Sequence, residues 1–571
     1  MGKKQKQMIA SILAVLLVLI IAAIAIFQKI TPSKETKELS DYYQVKDDEI
    51  LIFMENSLYE EKGLYINNKI YLGYDTVINE INKRFYWDSD EKILSVTTPK
   101  EIIKVNEGAS SYLVNKSTEK TEYPIVKRVN DQVYVALDFV KIYSNLEYET
   151  FLNPNRVVIN CHWGEKFQYA QADKDVSVRT TPNIKSPILA DVKAGGLFIY
   201  ADTEGKEAGN GFVKVMTEDG IIGYVRSKYL MDSYYVTLEN NYKEPEYTSI
   251  TKDKKINMVW HQVFSNSGQD KLDSLLSKTK GVNVISPTWF NLKNNNGEIT
   301  SLASEAYIQK AHKKGIEVWA LINDIDNKGE IDLAKLLGRT SSREKLSNEL
   351  IAEAISKNID GINLDFEKIT ADTAKAYLQF VRELSVKCRN NGIVLSIDNY
   401  TPEAYNTFYD IKEQGIVADY VVIMAYDEHY AGSEESGSVS SVGFVQNALT
   451  NTVEQVSANK VIMALPFYTR LWKEAKSGDG IKISSEAYSM VNAATLMQDK
   501  GVTLEWNDEV GQYYGQYKEG SATYKMWLED EKSYELKLKT AFSQDIAGVS
   551  AWKLGLESND IWNTINNYVK K

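Results

Sequence analysis

From residue 255 to the carboxyl terminus, apolar runs alternate with amphipathic helical patterns, and this alternation limits the available folds more than any other feature of the chain. The runs fall at 256–263, 282–290, 317–323, 361–367, 394–399, 420–426, 460–466 and 548–553. Strands separated by helices form βαβ units and a parallel sheet, not hairpins. Eight such units predict a (β/α)8 TIM barrel over 255–571. After the fourth run, Tyr377, Leu378, Val381, Leu384, Ser385 and Cys388 recur at helical spacing and Gly392 stops the helix. The gap between the seventh and eighth runs is too long for one helix. Residues 503–538 carry aromatic-rich strand patterns of their own, so an α+β insertion is expected between strands seven and eight.

The fourth run reads Asp360-Gly361-Ile362-Asn363-Leu364-Asp365-Phe366-Glu367. Its strict alternation puts Asn363, Asp365 and Glu367 on one face and the apolar residues on the other. Barrels of this kind do their chemistry at the carboxyl ends of the strands. Those ends hold Pro287-Thr288-Trp289-Phe290, Asn323-Asp324, Asp398-Asn399-Tyr400, Met424-Ala425-Tyr426-Asp427, Pro466-Phe467-Tyr468-Thr469-Arg470 and Trp552-Lys553. Aromatic rings beside acids and amides suit a sugar, whose ring faces stack while its hydroxyls take hydrogen bonds.

With these motifs in place, residues 255–571 resemble glycoside hydrolase family 18, the chitinase and N-acetylglucosaminidase barrels. The 360–367 stretch matches the family's DGxDxDxE strand, Met424-Ala425-Tyr426-Asp427 its sixth-strand motif, and Gly548-Val549-Ser550-Ala551-Trp552 its eighth. The resemblance implies Glu367 as general acid, Asp365 as the residue orienting the substrate acetamido group, Tyr426 as its second holder and Trp552 as the floor of the subsite. It also implies a substrate-assisted, retaining mechanism. The motif and the strand ends add Asp360, Asn363, Trp289, Phe290, Asn399, Met424, Asp427, Tyr468 and Arg470 as expected substrate contacts. Independently, a retaining enzyme with its own nucleophile needs two carboxyl groups about 5 Å apart across the sugar. Asp365 and Glu367 share one face of one strand, roughly 6 to 7 Å apart at Cα, and cannot flank a ring. The nucleophile then comes from a 2-acetamido sugar. Glu367 has to be protonated near neutral pH, and a neighbouring carboxylate such as Asp365 favours that.

Asn363 departs from the family pattern, which has Asp there. An amide cannot share a proton with Asp365, so Asp365 is expected to stay ionised in one orientation. A subgroup resembling spore-cortex lytic enzymes commonly carries Asn at this position, and it acts on peptidoglycan. The expected partner is therefore an N-acetylglucosamine glycan of the cell wall, with chitin oligomers second. A catalytically silent glycan-binding protein is the alternative outside enzymes, although it usually lacks the acid or its partners.

Residues 8–27 form an uncharged apolar run preceded by Lys3, Lys4 and Lys6. Twenty helical residues span a hydrocarbon core of about 30 Å. The basic flank, 1–7, predicts a cytoplasmic tail and a single-pass anchor with the catalytic domain outside the cell membrane. A cleavable signal peptide has the same order of features but a shorter apolar run. After a linker at 28–45, residues 46–165 hold an internal repeat of offset 63. It aligns Asn67-Asn68-Lys69-Ile70-Tyr71-Leu72 with Asn130-Asp131-Gln132-Val133-Tyr134-Val135. This predicted small α+β domain resembles the stalk domain of copper amine oxidases and bacterial wall proteins, which implies a spacer. Residues 172–232, with turn signals at Thr181-Pro182, Gly195-Gly196 and Asp219-Gly220, predict an all-β module. It resembles a bacterial SH3 domain, which implies binding to wall peptide; a rigid spacer is the alternative reading. A linker follows at 233–254.

Two cysteines in 571 residues, Cys161 and Cys388, fall in different predicted domains, and the four histidines show no metal-ligand spacing with each other or with them. No metal or cofactor is expected. A net charge of −12 without a basic cluster argues against nucleic acid as a partner. A monomer on one anchor is expected.

Overall fold

The computed structural model describes residues 2–201, 206–325, 329–477 and 480–570. The chain divides into two compact units. The first takes the residues up to 85, 105–112 and 118–244; the second takes 86–104, 113–117 and 245 onward.

In the first unit, helix Lys3–Ile30 has no buried residue and a mean hydropathy of 3.3 over its most apolar window. A mixed sheet and then an antiparallel sheet follow. The repeat copies meet in the first, where Lys69–Gly73 pairs antiparallel with Gln132–Ala136 in the register Leu72↔Val135. The second sheet draws on Lys166–Gln171 and Tyr234–Thr237 as well as the strands between them, so it is wider than the predicted 172–232. Leu51, Phe53, Met216 and Ile222 form one buried cluster joining the two sheets. The segment predicted as a linker at 28–45 is docked: Ser33 N–H donates to Ile184 O at 2.8 Å and Lys37 N–H to Ile188 O at 2.9 Å. The predicted linker at 233–254 is likewise structured at both ends, with Ile250 N–H donating to Asp419 Oδ1 at 2.7 Å in the second unit. The predicted boundary of the 46–165 domain shifts too. Residues 86–104 group with the second unit, where Asp88 Oδ2 accepts from Thr340 N–H at 2.6 Å and Tyr86 lies 4.7 Å from the Arg343 guanidinium.

The second unit is a closed barrel of eight parallel strands: β1 Ile256–His261, β2 Val284–Leu292, β3 Glu317–Asn323, β4 Gly361–Asp365, β5 Val394–Tyr400, β6 Tyr420–Met424, β7 Val461–Pro466 and β8 Gly548–Trp552. Each pairs with its neighbour in sequence, and β8 pairs with β1 to close the ring. Alternation sorts the side chains. Ile362, Leu364 and Phe366 join the apolar layer under the helices, while Trp260, Trp319, Leu321, Tyr420 and Val422 fill the interior. Gly361 is required by this filling, because a Cβ there would lie 2.6 Å from the Trp319 ring. Behind β4, helix Ala374–Asn390 buries Tyr377, Val381, Leu384 and Cys388, the face its spacing predicts.

The insertion begins at once after β7. Strands Tyr468–Ser477, Gly480–Ser489, Glu505–Asn507, Gln512–Glu519 and Ala522–Leu528 form one antiparallel sheet with helix Met490–Asp499 against it. It is therefore earlier and larger than the predicted 503–538. The end of that stretch is helix Glu531–Ala541, opened by an Asp530–Ser533 capping box, and it packs on the barrel.

Candidate active site

The strand alternation that fills the barrel also builds the site. On β4, Asn363 and Asp365 point inward and are buried, at 0% and 7% exposure. Glu367 follows two residues beyond the last β4 position. Its backbone N–H and that of Lys368 both donate to the Asp324 carboxylate at 2.9 Å, which fixes the chain as it leaves the strand. Tyr400, the last residue of β5, donates its O–H to Glu367 Oε2 at 2.5 Å.

Asn363 anchors the floor. Its Oδ1 accepts from Trp260 Nε1 at 2.8 Å and Ser286 Oγ at 3.0 Å, and its Nδ2 donates to Ser396 Oγ at 3.0 Å and Asp398 Oδ1 at 2.7 Å. Asp365 and Trp552 line a cleft of about 630 Å³ together with Gln262, Thr288, Asn291 and Asn323. Trp552 meets Trp260 edge to face at 5.8 Å, and Lys553 donates from Nζ to Gln262 Oε1. On the insertion side, Tyr426 lies edge to face with Tyr468 at 6.3 Å, and Tyr468 donates its O–H to Asp427 Oδ1 at 2.5 Å. Arg470 adds its charge beside Asp427 and donates from Nη1 to Ser485 Oγ at 3.1 Å. Met424 shares the inward face of β6 with Tyr426 and is buried below it.

The electrostatics favour a proton-holding site. Burial raises the Glu367 carboxyl above its ordinary range; the Tyr400 hydrogen bond opposes this, and the Asp324 and Asp427 charges add to it. Burial, not the Asp365 charge, is thus the chief cause. Burial also pushes Asp365 well above the usual carboxylate range, with Asp398, Glu367 and Asp324 acting in the same direction. This direction is opposite to the one expected from Asn363 alone, which cannot share a proton with Asp365.

Four expected contacts lie elsewhere. Asp360 precedes β4 at its amino end, where its carboxylate accepts from Val318 N–H at 2.8 Å and pairs with His312 Nε2 at 2.7 Å. Trp289 and Phe290 are both fully buried in the helix-side layer, because the β2 register shifts between Thr288 and Phe290. Asn399 faces the helices and exchanges hydrogen bonds with Gln414 at 2.7 and 3.1 Å. Sequence reasoning named Asp324, Asp398 and Tyr400 only as strand-end residues and gave them no role. The period-two rule used for 363–367 would have placed Ser396, Asp398 and Tyr400 together, opposite Asn399.

Away from the barrel, Glu55, Cys161 and His162 bring three potential metal-ligand atoms within 4.8 Å of one another, a proximity the spacing argument missed. Glu55 Oε1 already accepts from the Cys161 and His162 N–H groups at 2.7 and 2.9 Å, and Oε2 pairs with His162 Nδ1 at 2.9 Å. Both carboxylate oxygens of Glu55 are thus engaged within the protein.

Comparison with known proteins agrees with this geometry. Residues 234–557 match the model of glycosyl hydrolases family 18. An uncharacterized glycosylase of Bacillus subtilis (strain 168), YvbX, is 29% identical over 300 residues, covering 51% of this chain and 85% of that protein. The cortical fragment-lytic enzyme of the same strain is 25% identical, over 41% of this chain and 56% of the enzyme. Among solved structures, the Bacillus cereus spore cortex-lytic enzyme SleL aligns with a TM-score of 0.50 at 21% identity, over 59% of this chain and 77% of that one. A chitinase from Chromobacterium violaceum ATCC 12472 aligns with the same TM-score at 19% identity, over 56% and 99%. These two likenesses bear on the fold alone. The match spans more than half of the chain and includes the strand that ends in the acid, and the chain therefore belongs to glycosyl hydrolases family 18.

Proposed function

We propose that this is a membrane-anchored wall glycosidase that cleaves β-1,4 bonds next to N-acetylglucosamine in peptidoglycan by a substrate-assisted, retaining mechanism. The observation that carries the reading is that both acids of the site come from one strand and its exit, two residues apart. Glu367 is held for protonation and Asp365 is buried beside it, so neither stands across a sugar ring as a nucleophile. Glu367 then gives its proton to the glycosidic oxygen, and the breaking C1–O bond leaves its electron pair on that oxygen. The carbonyl oxygen of the substrate's own acetamido group attacks C1 and closes an oxazolinium ring. Asp365 accepts the acetamido N–H and Tyr426 holds the carbonyl end. Water, deprotonated by the Glu367 carboxylate, attacks C1 and restores the acetamido group with the original anomeric configuration. Trp552 supports the sugar face, while Asp427 beyond β6 and Tyr468 and Arg470 of the insertion bind from the other side.

Two features support the wall as the place of action. Helix Lys3–Ile30, about 42 Å long at 1.5 Å per residue, exceeds the hydrocarbon core and carries Lys3, Lys4 and Lys6 in its first turns. The relatives named cortical fragment-lytic enzymes act, by that name, on cortical fragments. On this reading the second sheet of the first unit is an SH3-like module for wall peptide, the first is a stalk, and the protein works as a monomer.

The test is digestion of vegetative peptidoglycan, cortex peptidoglycan and chitin oligomers by the full-length chain, with products read by mass spectrometry. Fragments with N-acetylglucosamine at the new reducing end are expected. Glu367→Gln should lower their release by about 10²- to 10⁴-fold while binding persists. Cleavage of chitin oligomers alone would make the protein a chitinase. Binding without cleavage of any of the three would make it a glycan-binding wall protein.

A further inference from the structure

Asn363 has no hydrogen-bonding capacity left for Asp365. An amide offers two donors and two lone pairs, and Trp260, Ser286, Ser396 and Asp398 take all four. Asp365 lies two residues beyond Asn363 on β4, and Asp398 two beyond Ser396, the residue that pairs with Asn363 on β5. The two carboxyl groups therefore leave neighbouring parallel strands at the same level and on the same inward face. Both are buried, at 7% and 2% exposure, and each keeps one buried oxygen without a partner: Asp365 Oδ1 and Asp398 Oδ2. Two such carboxylates repel if both are ionised, and each leaves an acceptor unsatisfied. One proton between the two oxygens removes both problems.

We propose that Asp398 is the proton partner of Asp365: the pair holds a single proton between Asp365 Oδ1 and Asp398 Oδ2, and Asp398 is a positioning residue for the reaction. The role of Asp365 toward the acetamido group rests on the glycosidase reading above. Burial raises both carboxyls above the usual carboxylate range, and only Asp398 has a hydrogen bond, from the Asn363 N–H, opposing it, so in the free site the proton lies on Asp365. The other ionisable groups that interact with Asp365 are Glu367 at the exit of β4, Asp324 beyond β3, Tyr400 on β5, Tyr426 beyond β6, and Tyr377 and Tyr409 from the helix side. All are acidic and favour keeping the proton. When an acetamido N–H arrives, the proton passes from Asp365 Oδ1 to Asp398 Oδ2 and the negative charge passes the other way. Asp365 becomes the charged acceptor with no change in the net charge of the pair.

Infrared spectroscopy of the full-length chain in detergent micelles tests this, through the C=O stretch of a buried protonated carboxyl group at pH 7. The band removed by Asp365→Asn should also be missing in Asp398→Asn and should return in the double variant Asn363→Asp, Asp398→Asn. Asp398→Glu should move it without abolishing it, and this variant carries the test if Asp398→Asn does not fold. A band that survives Asp398→Asn, is unmoved in Asp398→Glu or is absent from the wild type overturns the proposal. On chitotetraose, Asp398→Asn should lower kcat about ten- to a hundredfold, with KM changed less than about threefold, and the double variant should recover rate. A wild-type rate in Asp398→Asn also overturns it. If the wild type cleaves no N-acetylglucosamine glycan, the glycosidase reading falls, and the infrared result still decides where the proton is.

Discussion

Glu367 is held from two directions: Asp324 fixes its backbone, and the Tyr400 hydroxyl fixes one carboxylate oxygen at 2.5 Å. A donated hydrogen bond favours the ionised form, so Tyr400 works against the burial that keeps Glu367 protonated. Removing it in Tyr400→Phe should raise the Glu367 pKa further. The alkaline limb of the kcat/KM profile, which reports loss of the acid's proton, should then move to higher pH, while the rate falls about tenfold through looser positioning. An alkaline limb that stays in place or moves down would contradict this account of Tyr400. Much of the site was legible at this scale, because alternation along 361–367 predicts which residues share the cavity. The residues that went astray have physical reasons. Asn399 was taken from the face opposite Asp398 and Tyr400. Trp289 and Phe290 were turned away by a register shift that leaves no mark in composition. Asp360 matches a motif that runs the full length of the strand, so its first residue lies at the far end of the barrel.

Among the elements, β4 is fixed from both sides. Inside, Gly361 lets the Trp319 ring lie against the strand; Gly361→Ala should cost about 1–3 kcal/mol by overpacking, measured by urea denaturation of the second unit. A neutral effect would mean that the Trp319 ring moves freely. Outside, helix Ala374–Asn390 is tied by two fully buried ion pairs, Glu383 with Arg343 at 3.1 Å and Arg382 with Glu413 at 2.9 Å. Such pairs add little net stability but resist any rearrangement that would strand one charge. They fix the helix behind the catalytic strand. All eight strands were legible because each buried parallel strand is a short apolar run between helical patterns. The insertion was only half legible, since strand Tyr468–Ser477 continues almost directly from β7 and its start has no turn signal.

For the molecule as a whole, the segment after the apolar helix is the informative departure. Ser33, Glu35 and Lys37 make backbone hydrogen bonds to 184–188, and the Tyr43 hydroxyl accepts from Ile222 N–H at 2.9 Å. A polar composition reads as a linker whether or not its backbone groups find partners, so the sequence could not reveal this docking. A chain starting at residue 32 should keep the stability of the first unit. One starting at residue 46 should lose about 2–4 kcal/mol in urea denaturation, and equal stability of the two would mean the docking contributes nothing. The central claim is that the substrate supplies its own nucleophile, and it is tested most directly with 4-methylumbelliferyl N-acetylglucosamine oligomers whose acetyl methyl is replaced by mono-, di- and trifluoromethyl. Fluorine drains electron density from the attacking carbonyl oxygen, so kcat/KM should fall at each step of the series. A rate indifferent to fluorination would place the nucleophile on the protein and contradict the account.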